Sequence, residues 1–162
     1  MAVKTVENKT VTLPYIDMSQ RQFANVLFAG LGVGIAMWLL QLVLSKYVYG
    51  PIMCHDSAQA TCSAVDNYAS ISAVFLATAA GLVALVRLRV YRPLLIAIAA
   101  LIAMWGLSAI TSGMTWPAAL ATFAVLNAIT YGLFTWLARI RSFLLSVILI
   151  VIALVLIRIA LA

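Results

Sequence analysis

Apolar positions in this chain fall in long unbroken runs, without the period-two alternation of a half-buried strand. An α-helix needs roughly 20 mostly apolar residues to cross a hydrocarbon core about 30 Å thick. Five stretches meet that description: 22–44, 69–86, 93–110, 117–137 and 142–162. The pattern therefore predicts an all-α fold, a polytopic integral membrane bundle of five transmembrane helices. A four-helix count is the alternative. An outer-membrane barrel would show ten-residue segments alternating apolar and polar, and none is present. A polar N-terminal tail, 1–21, precedes the five-helix domain, 22–162, and a long polar loop, 45–68, follows the first helix.

Local signals set the boundaries. Ser19 with Gln22 three positions on reads as a capping box at the first helix start. Pro93 and Pro117 stand where a first helical turn tolerates a missing N–H. Gly50-Pro51 predicts a turn in the first loop. No Gly/Pro cluster interrupts a span at mid-membrane, so each span reads as one continuous helix. That argues against the broken helices of secondary transporters. Tyr47, Tyr49, Tyr91, Trp116 and Trp136 fall near span ends, at headgroup level, whereas Trp38 and Trp105 lie deeper and are expected between helices.

Composition narrows the class further. Of 162 residues, 66% are hydrophobic and 9% charged, too little polarity to coat a water-facing surface. The net charge of +6 is distributed as a topology signal. Lys4, Lys9 and Arg21 lie in the tail, Arg87, Arg89 and Arg92 in the second connection, and Arg139 and Arg141 in the fourth. The opposite side carries Lys46 and Arg158. This bias predicts a cytoplasmic N-terminus and an outside C-terminus, in a cell (inner or plasma) membrane. The five connection arginines are expected to face anionic lipid headgroups. Basic residues split among short segments make no nucleic-acid-binding face. The first apolar run starts late and is followed by no small-residue cleavage site, so it reads as a retained anchor. Asn8-Lys9-Thr10 matches a glycosylation sequon, but on a cytoplasmic tail it is expected to stay unmodified.

Little catalytic chemistry is visible. The two cysteines, Cys54 and Cys62, both lie in the first loop, which the charge bias places on the oxidising side. A structural disulfide between them is the expectation. A thiol–disulfide oxidoreductase is a weaker alternative, because it needs a close Cys-x-x-Cys and a second relay pair. A zinc site from Cys54, His55, Asp56, Cys62 and Asp66 lacks the short clasp spacing. No catalytic residues, metal or cofactor are assigned.

Within the spans, Gly30 and Gly34 form a Gly-x-x-x-Gly pair, and Ala77 and Gly81 belong to a small-residue stripe in the second span. Both predict close helix packing, within the chain or in an oligomer. Gly106 joins Ala99 and Ala103 in a similar stripe of the third span. Mid-span polar residues are Thr78, Ser108, Thr122, Asn127 and Thr130. Asn127 is the intramembrane candidate, since an amide in hydrocarbon needs partners; an interhelical hydrogen bond is expected. The fifth span, apolar on all sides except at Ser146, reads as a lipid-facing helix, with Arg158 snorkelling near its end. The similarity of 87–91 to 139–143, basic–aliphatic–basic then an aromatic, raises a parallel duplication of two hairpins.

The functional expectation is a non-enzymatic membrane protein, a small subunit or accessory protein of a membrane complex. It would act by helix packing and its outer loop on the bilayer, other membrane subunits or its own copies. The alternatives are a small oligomeric transporter or channel and, second, a membrane thiol–disulfide oxidoreductase.

Overall fold

The computed structural model describes residues 19–54, 64–111, 113–140 and 142–161. Every regular element among them is helical. In chain order these are α1 (Gln20–Val43), a π-helical turn (Leu44–Tyr49), α2 (Gly50–Met53), α3 (Val65–Arg87), α4 (Pro93–Met104), α5 (Leu107–Thr111), α6 (Trp116–Ala138) and α7 (Phe143–Leu161). Among the described residues three helical stretches are long and apolar enough to cross a membrane: Gln20–Met53, Val65–Arg87 and Trp116–Ala138. Pro93–Met104 is a shorter apolar helix, and α7 is apolar over Phe143–Ile157.

The predicted start of α1 is where the capping signal put it. Ser19 is extended, and its Oγ accepts from the Gln22 backbone N–H at 3.2 Å. The predicted end is not. The helix runs on through Gly50-Pro51 to Met53 instead of turning. A proline inside an α-helix lacks its N–H and collides with the carbonyl one turn back. Here the preceding turn widens into a π-helix, in which the Gly50 N–H reaches the Ser45 carbonyl. The widened turn lets Pro51 ride in the helix, so Gly-Pro extends α1 rather than ending it.

The third predicted span is also corrected. It is interrupted between α4 and α5, where Trp105 is extended (φ −61°, ψ 122°) and Gly106 has φ +86°. That pair of conformations follows a type II turn, whose third position admits essentially only Gly or Asn. Gly106 therefore serves the backbone and is exposed, rather than lining a packing stripe. Trp105, expected between helices, is exposed too and meets Phe75 of α3 edge-to-face at 6.1 Å. The freed segment is held by Ser108 Oγ, which donates to Ser70 Oγ of α3 at 2.9 Å. Thr111 Oγ1 donates back to the Leu107 carbonyl at 3.1 Å.

The core is centred on α1, which packs along both α6 and α3. Val26, Gly30, Val33, Gly34 and Met37 form its buried stripe, at the i, i+4, i+7, i+8, i+11 spacing of one helix face. On α3 the buried stripe is Ala69, Ala73, Ala77, Gly81 and Leu85. Tyr131 of α6, fully buried, fills the space toward α3. Helix α7 touches only α4 and α6 among its more extensive contacts. Ser146 and Ile150 are buried on it, while Leu144, Ile148, Val151, Ile152 and Leu156 are exposed.

Candidate functional site

The α1–α6 seam accounts for the glycine pair. A Cβ on Gly30 would stand 2.9 Å from Ala128 Cα and 3.0 Å from the Asn127 carbonyl. One on Gly34 would meet the Phe123 carbonyl and, at 2.7 Å, Ala124 Cα. Both obstacles are backbone, so the two helices run as close as glycine permits. Gly32, between them in sequence, has nothing within 4 Å. The partner stripe on α6 is Ala124, Ala128 and Gly132, and a Cβ on the last would stand 2.7 Å from Leu27 Cδ2. Its small-x-x-x-small spacing was present in the sequence but was not singled out there. Ala77 is buried on α3, and Gly81 receives the hydroxyl end of Tyr131. All four small residues are thus occupied by helices of the same chain.

Asn127 is buried, but its amide serves mainly its own helix. Nδ2 donates to the Phe123 carbonyl at 2.9 Å, with Met37 Sδ of α1 at 3.9 Å as the interhelical contact. Two further polar groups lie along α6 that sequence reasoning passed over. Tyr131 OH and Thr135 Oγ1 are buried without a hydrogen-bond partner. With Asn127 they stand at i, i+4 and i+8, one polar line through the bundle interior. Two of the other mid-span polar residues are satisfied within their own helix. Thr122 donates to the Ala118 carbonyl and Thr130 to the Leu126 carbonyl.

At the end of the bundle where α3 and α6 begin lies a cleft of about 480 Å³. Trp38, Gln41, Leu42 and Ser45 line it from α1 and its π-turn, Asp66 and Asn67 from α3, Ser108 and Thr111 from α5, and Ala119 and Phe123 from α6. The break at Trp105-Gly106 makes this possible, because it turns α5 and its two hydroxyls into the cleft. Gln41 Oε1 is buried there with no hydrogen-bond partner. Sequence reasoning found Ser108 but missed Gln41, whose place near a span end resembled ordinary interfacial polarity.

The opposite end is basic. Arg87 and Arg89 are exposed, and Arg89 and Arg92 both adopt positive φ, +52° and +55°, where the chain reverses between α3 and α4. Arg92 joins the two basic connections. Its guanidinium donates to the Ile140 carbonyl at 3.4 Å and lies 4.6 Å from the Tyr91 ring and 5.1 Å from the Phe143 ring. Arg139 caps α6, and Arg141 lies outside the described residues. On α7, Ser146 Oγ donates to the Leu137 carbonyl at 3.2 Å, fastening that helix to the end of α6.

Cys54 follows α2, exposed, and no free thiol occurs among the described residues. Cys62, His55 and Asp56 lie outside them, as do the tail sequon, Arg141 and Ala162. Among the described residues no three His, Cys, Asp or Glu side chains gather as a metal set. The fold and the site together define a helical bundle with three helices apolar and long enough for a membrane, polar at one end and basic at the other. No family model, curated protein or solved structure matches the chain.

Proposed function

We propose that this chain is a non-enzymatic integral membrane protein working as a small subunit or accessory protein of a membrane complex. In this reading five segments cross the membrane, α4 and α5 together forming the third. The basic end with Arg87, Arg89, Arg92, Arg139 and Arg141 faces the cytoplasm, as the distribution of charge favours. A Cys54–Cys62 disulfide closes the loop after α2 on the outer side. The membrane is a cell (inner or plasma) membrane.

The observation that carries the reading is a groove of about 450 Å³ on the surface of the α1–α6 seam. Phe28, Leu31, Val125 and Ile129 flank it, and the small Ala24 and Ala128 leave it open. Its lining is almost wholly apolar, as suits a contact within the hydrocarbon layer. The test is purification from native membranes in mild detergent. A stoichiometric companion is expected, and it should be lost when Ile129→Trp, at an exposed position on the groove's rim, crowds it. Recovery of the native protein as a lone monomer would overturn the reading.

The second reading, a small oligomeric transporter or channel, is favoured by the interruption at Trp105-Gly106 beside a polar cleft. Broken helices at membrane depth accompany solute sites. Solute flux into vesicles reconstituted with the protein, reduced by Asn127→Leu, would favour it over the first.

A further inference from the structure

We propose that the turn joining α3 to α4 is a docking surface for the headgroup of an anionic phospholipid, held by the exposed guanidinium groups of Arg89 and Arg87. This rests on the membrane reading above and deepens it, from a basic end that faces a leaflet to a particular residue that selects its lipid.

Arg89 occupies a position whose backbone disfavours it. Helix α3 ends in a Schellman motif: the Val90 N–H donates to the Leu85 carbonyl at 3.1 Å and the Arg89 N–H to the Val86 carbonyl at 3.0 Å. Arg89 is the residue that this motif makes left-handed, with φ +52°. Glycine, or less often asparagine, ordinarily stands there, because a Cβ crowds the neighbouring carbonyl. A larger side chain kept in such a conformation points to a use for that side chain. None lies within the described residues: Arg89 is exposed, and its guanidinium forms no hydrogen bond or ion pair with them. Arg92, the other left-handed arginine at φ +55°, is different. Its guanidinium is engaged inside the molecule, at the Ile140 carbonyl and the Tyr91 and Phe143 rings. Arg89 is left to act on something outside.

The surroundings suit an anion at headgroup depth. Along the turn, Leu88 and Val90 pack against the core, while Arg87, Arg89 and Tyr91 are exposed. Arg87 alone would carry little weight, since a cation in the last turn of a helix is favoured by the helix dipole. Arg139 lies at the same end, and so does exposed Arg21, because α1 runs antiparallel to α6. The one side-chain carboxylate among the described residues, Asp66, stands in the first turn of α3, at the opposite end. A guanidinium offers its N–H groups as a fork that matches two phosphate oxygens. Beside these arginines the rings of Tyr91, Trp136 and Phe143 are exposed, and aromatic rings settle at headgroup level. A phospholipid covers both the charges and the rings, whereas a soluble acidic partner would leave the rings in water.

The test uses the full chain purified in dodecyl maltoside and stripped of lipid by detergent exchange. Phosphatidylglycerol or phosphatidylcholine with the same acyl chains is added back at constant ionic strength, and retained lipid is counted by native mass spectrometry. Phosphatidylglycerol is expected to be held severalfold more tightly. Arg89→Gly should cut that preference about fivefold, the worth of one arginine near an anionic surface, and Arg87→Gln by a similar factor. Lys46→Gln, at the opposite end, should leave it unchanged. Without lipid, Arg89→Gly should melt at the same temperature as the native chain or higher, because glycine suits the turn. Arg89→Asn, which also tolerates a left-handed backbone, answers the question if the glycine variant fails to fold. The proposal is overturned by equal retention of the two lipids, by an unchanged preference in the folded Arg89 variants, or by a lowered melting temperature in both of them. Recovery of the companion is a separate measurement. A chain that keeps its companion but shows no lipid preference fails only here, and a lone monomer that keeps the preference fails only the subunit reading.

Discussion

The seam between α1 and α6 and the seat of α7 solve the same problem in opposite ways. The first is made of Gly30, Gly34, Ala124, Ala128 and Gly132, so close that backbone meets backbone. The second is made of bulky aliphatics with one small polar anchor, Ser146, and most of the helix surface is left exposed. Between helices in lipid there is no hydrophobic force to separate good from poor contacts, because the tails are as apolar as leucine. What distinguishes a seam is the density of atoms in contact and the hydrogen bonds across it. By that measure α1 and α6 are the frame of the molecule and α7 is an attachment.

The contrast breaks most directly at Gly34. In Gly34→Val the new side chain meets the Phe123 carbonyl and Ala124 Cα, neither of which can rotate away. We expect roughly 3 kcal/mol of destabilisation, at the upper end of overpacking costs, read as loss of folded protein in a denaturant titration in micelles. Gly32→Val, with open space around it, should change little and serves as the control.

A middle-sized effect is expected at Gly81, where the obstacle is the far end of one side chain. Gly81→Ala presses on the Tyr131 hydroxyl and should cost about 1–2 kcal/mol. Tyr131→Phe alone should be neutral or stabilising, because that hydroxyl is buried without a partner. Combining the two should recover about 1 kcal/mol of the alanine's cost, a coupling visible in a double-mutant cycle. Additive behaviour would mean that Tyr131 does not bridge to α3 as described.

The smallest effect belongs to α7. Ser146→Ala removes the hydrogen bond to the Leu137 carbonyl and should cost about 0.6 kcal/mol, typical of such bonds in membrane bundles. Ile152→Ala, on its exposed face, should be silent in the same titration. A Ser146 variant as damaging as Gly34→Val would erase the distinction between frame and attachment.

Much of this architecture is legible from residue order. Long apolar runs gave the helices, and the spacing of Gly30 and Gly34 marked a real close approach. The capping pair at Ser19 and Gln22 located the first helix start within a residue. Other features are hidden for identifiable reasons. Gly106 looks like a packing glycine because a lone glycine in an apolar run carries no sign of its φ. Gly50-Pro51 has the chemistry of a turn, and only the π-widening upstream reveals that the helix absorbs it. Tyr131 and Thr135 are hidden because a tyrosine or threonine in a span resembles its apolar neighbours until its hydroxyl is seen without a partner. The cleft is the least legible feature. It assembles Trp38, Gln41, Asp66, Ser108 and Phe123 from four helical segments, a set that no local spacing announces.

The Gly34–Phe123 contact also sets a timetable for biogenesis. The two halves of the frame are separated by most of the chain, so on the proposed membrane reading α1 would enter the bilayer long before the helix it fits has been made. At roughly 5–20 residues per second, translation leaves that groove of exposed backbone unfilled for on the order of 5–20 s. Through that interval α1 would present, on the same reading, the surface to which small-residue helices of other nascent proteins would adhere. The frame is finished only when α6 arrives, so a ribosome stalled before Trp116 would release an adhesive fragment, whereas one stalled after Ala138 would release an almost closed molecule.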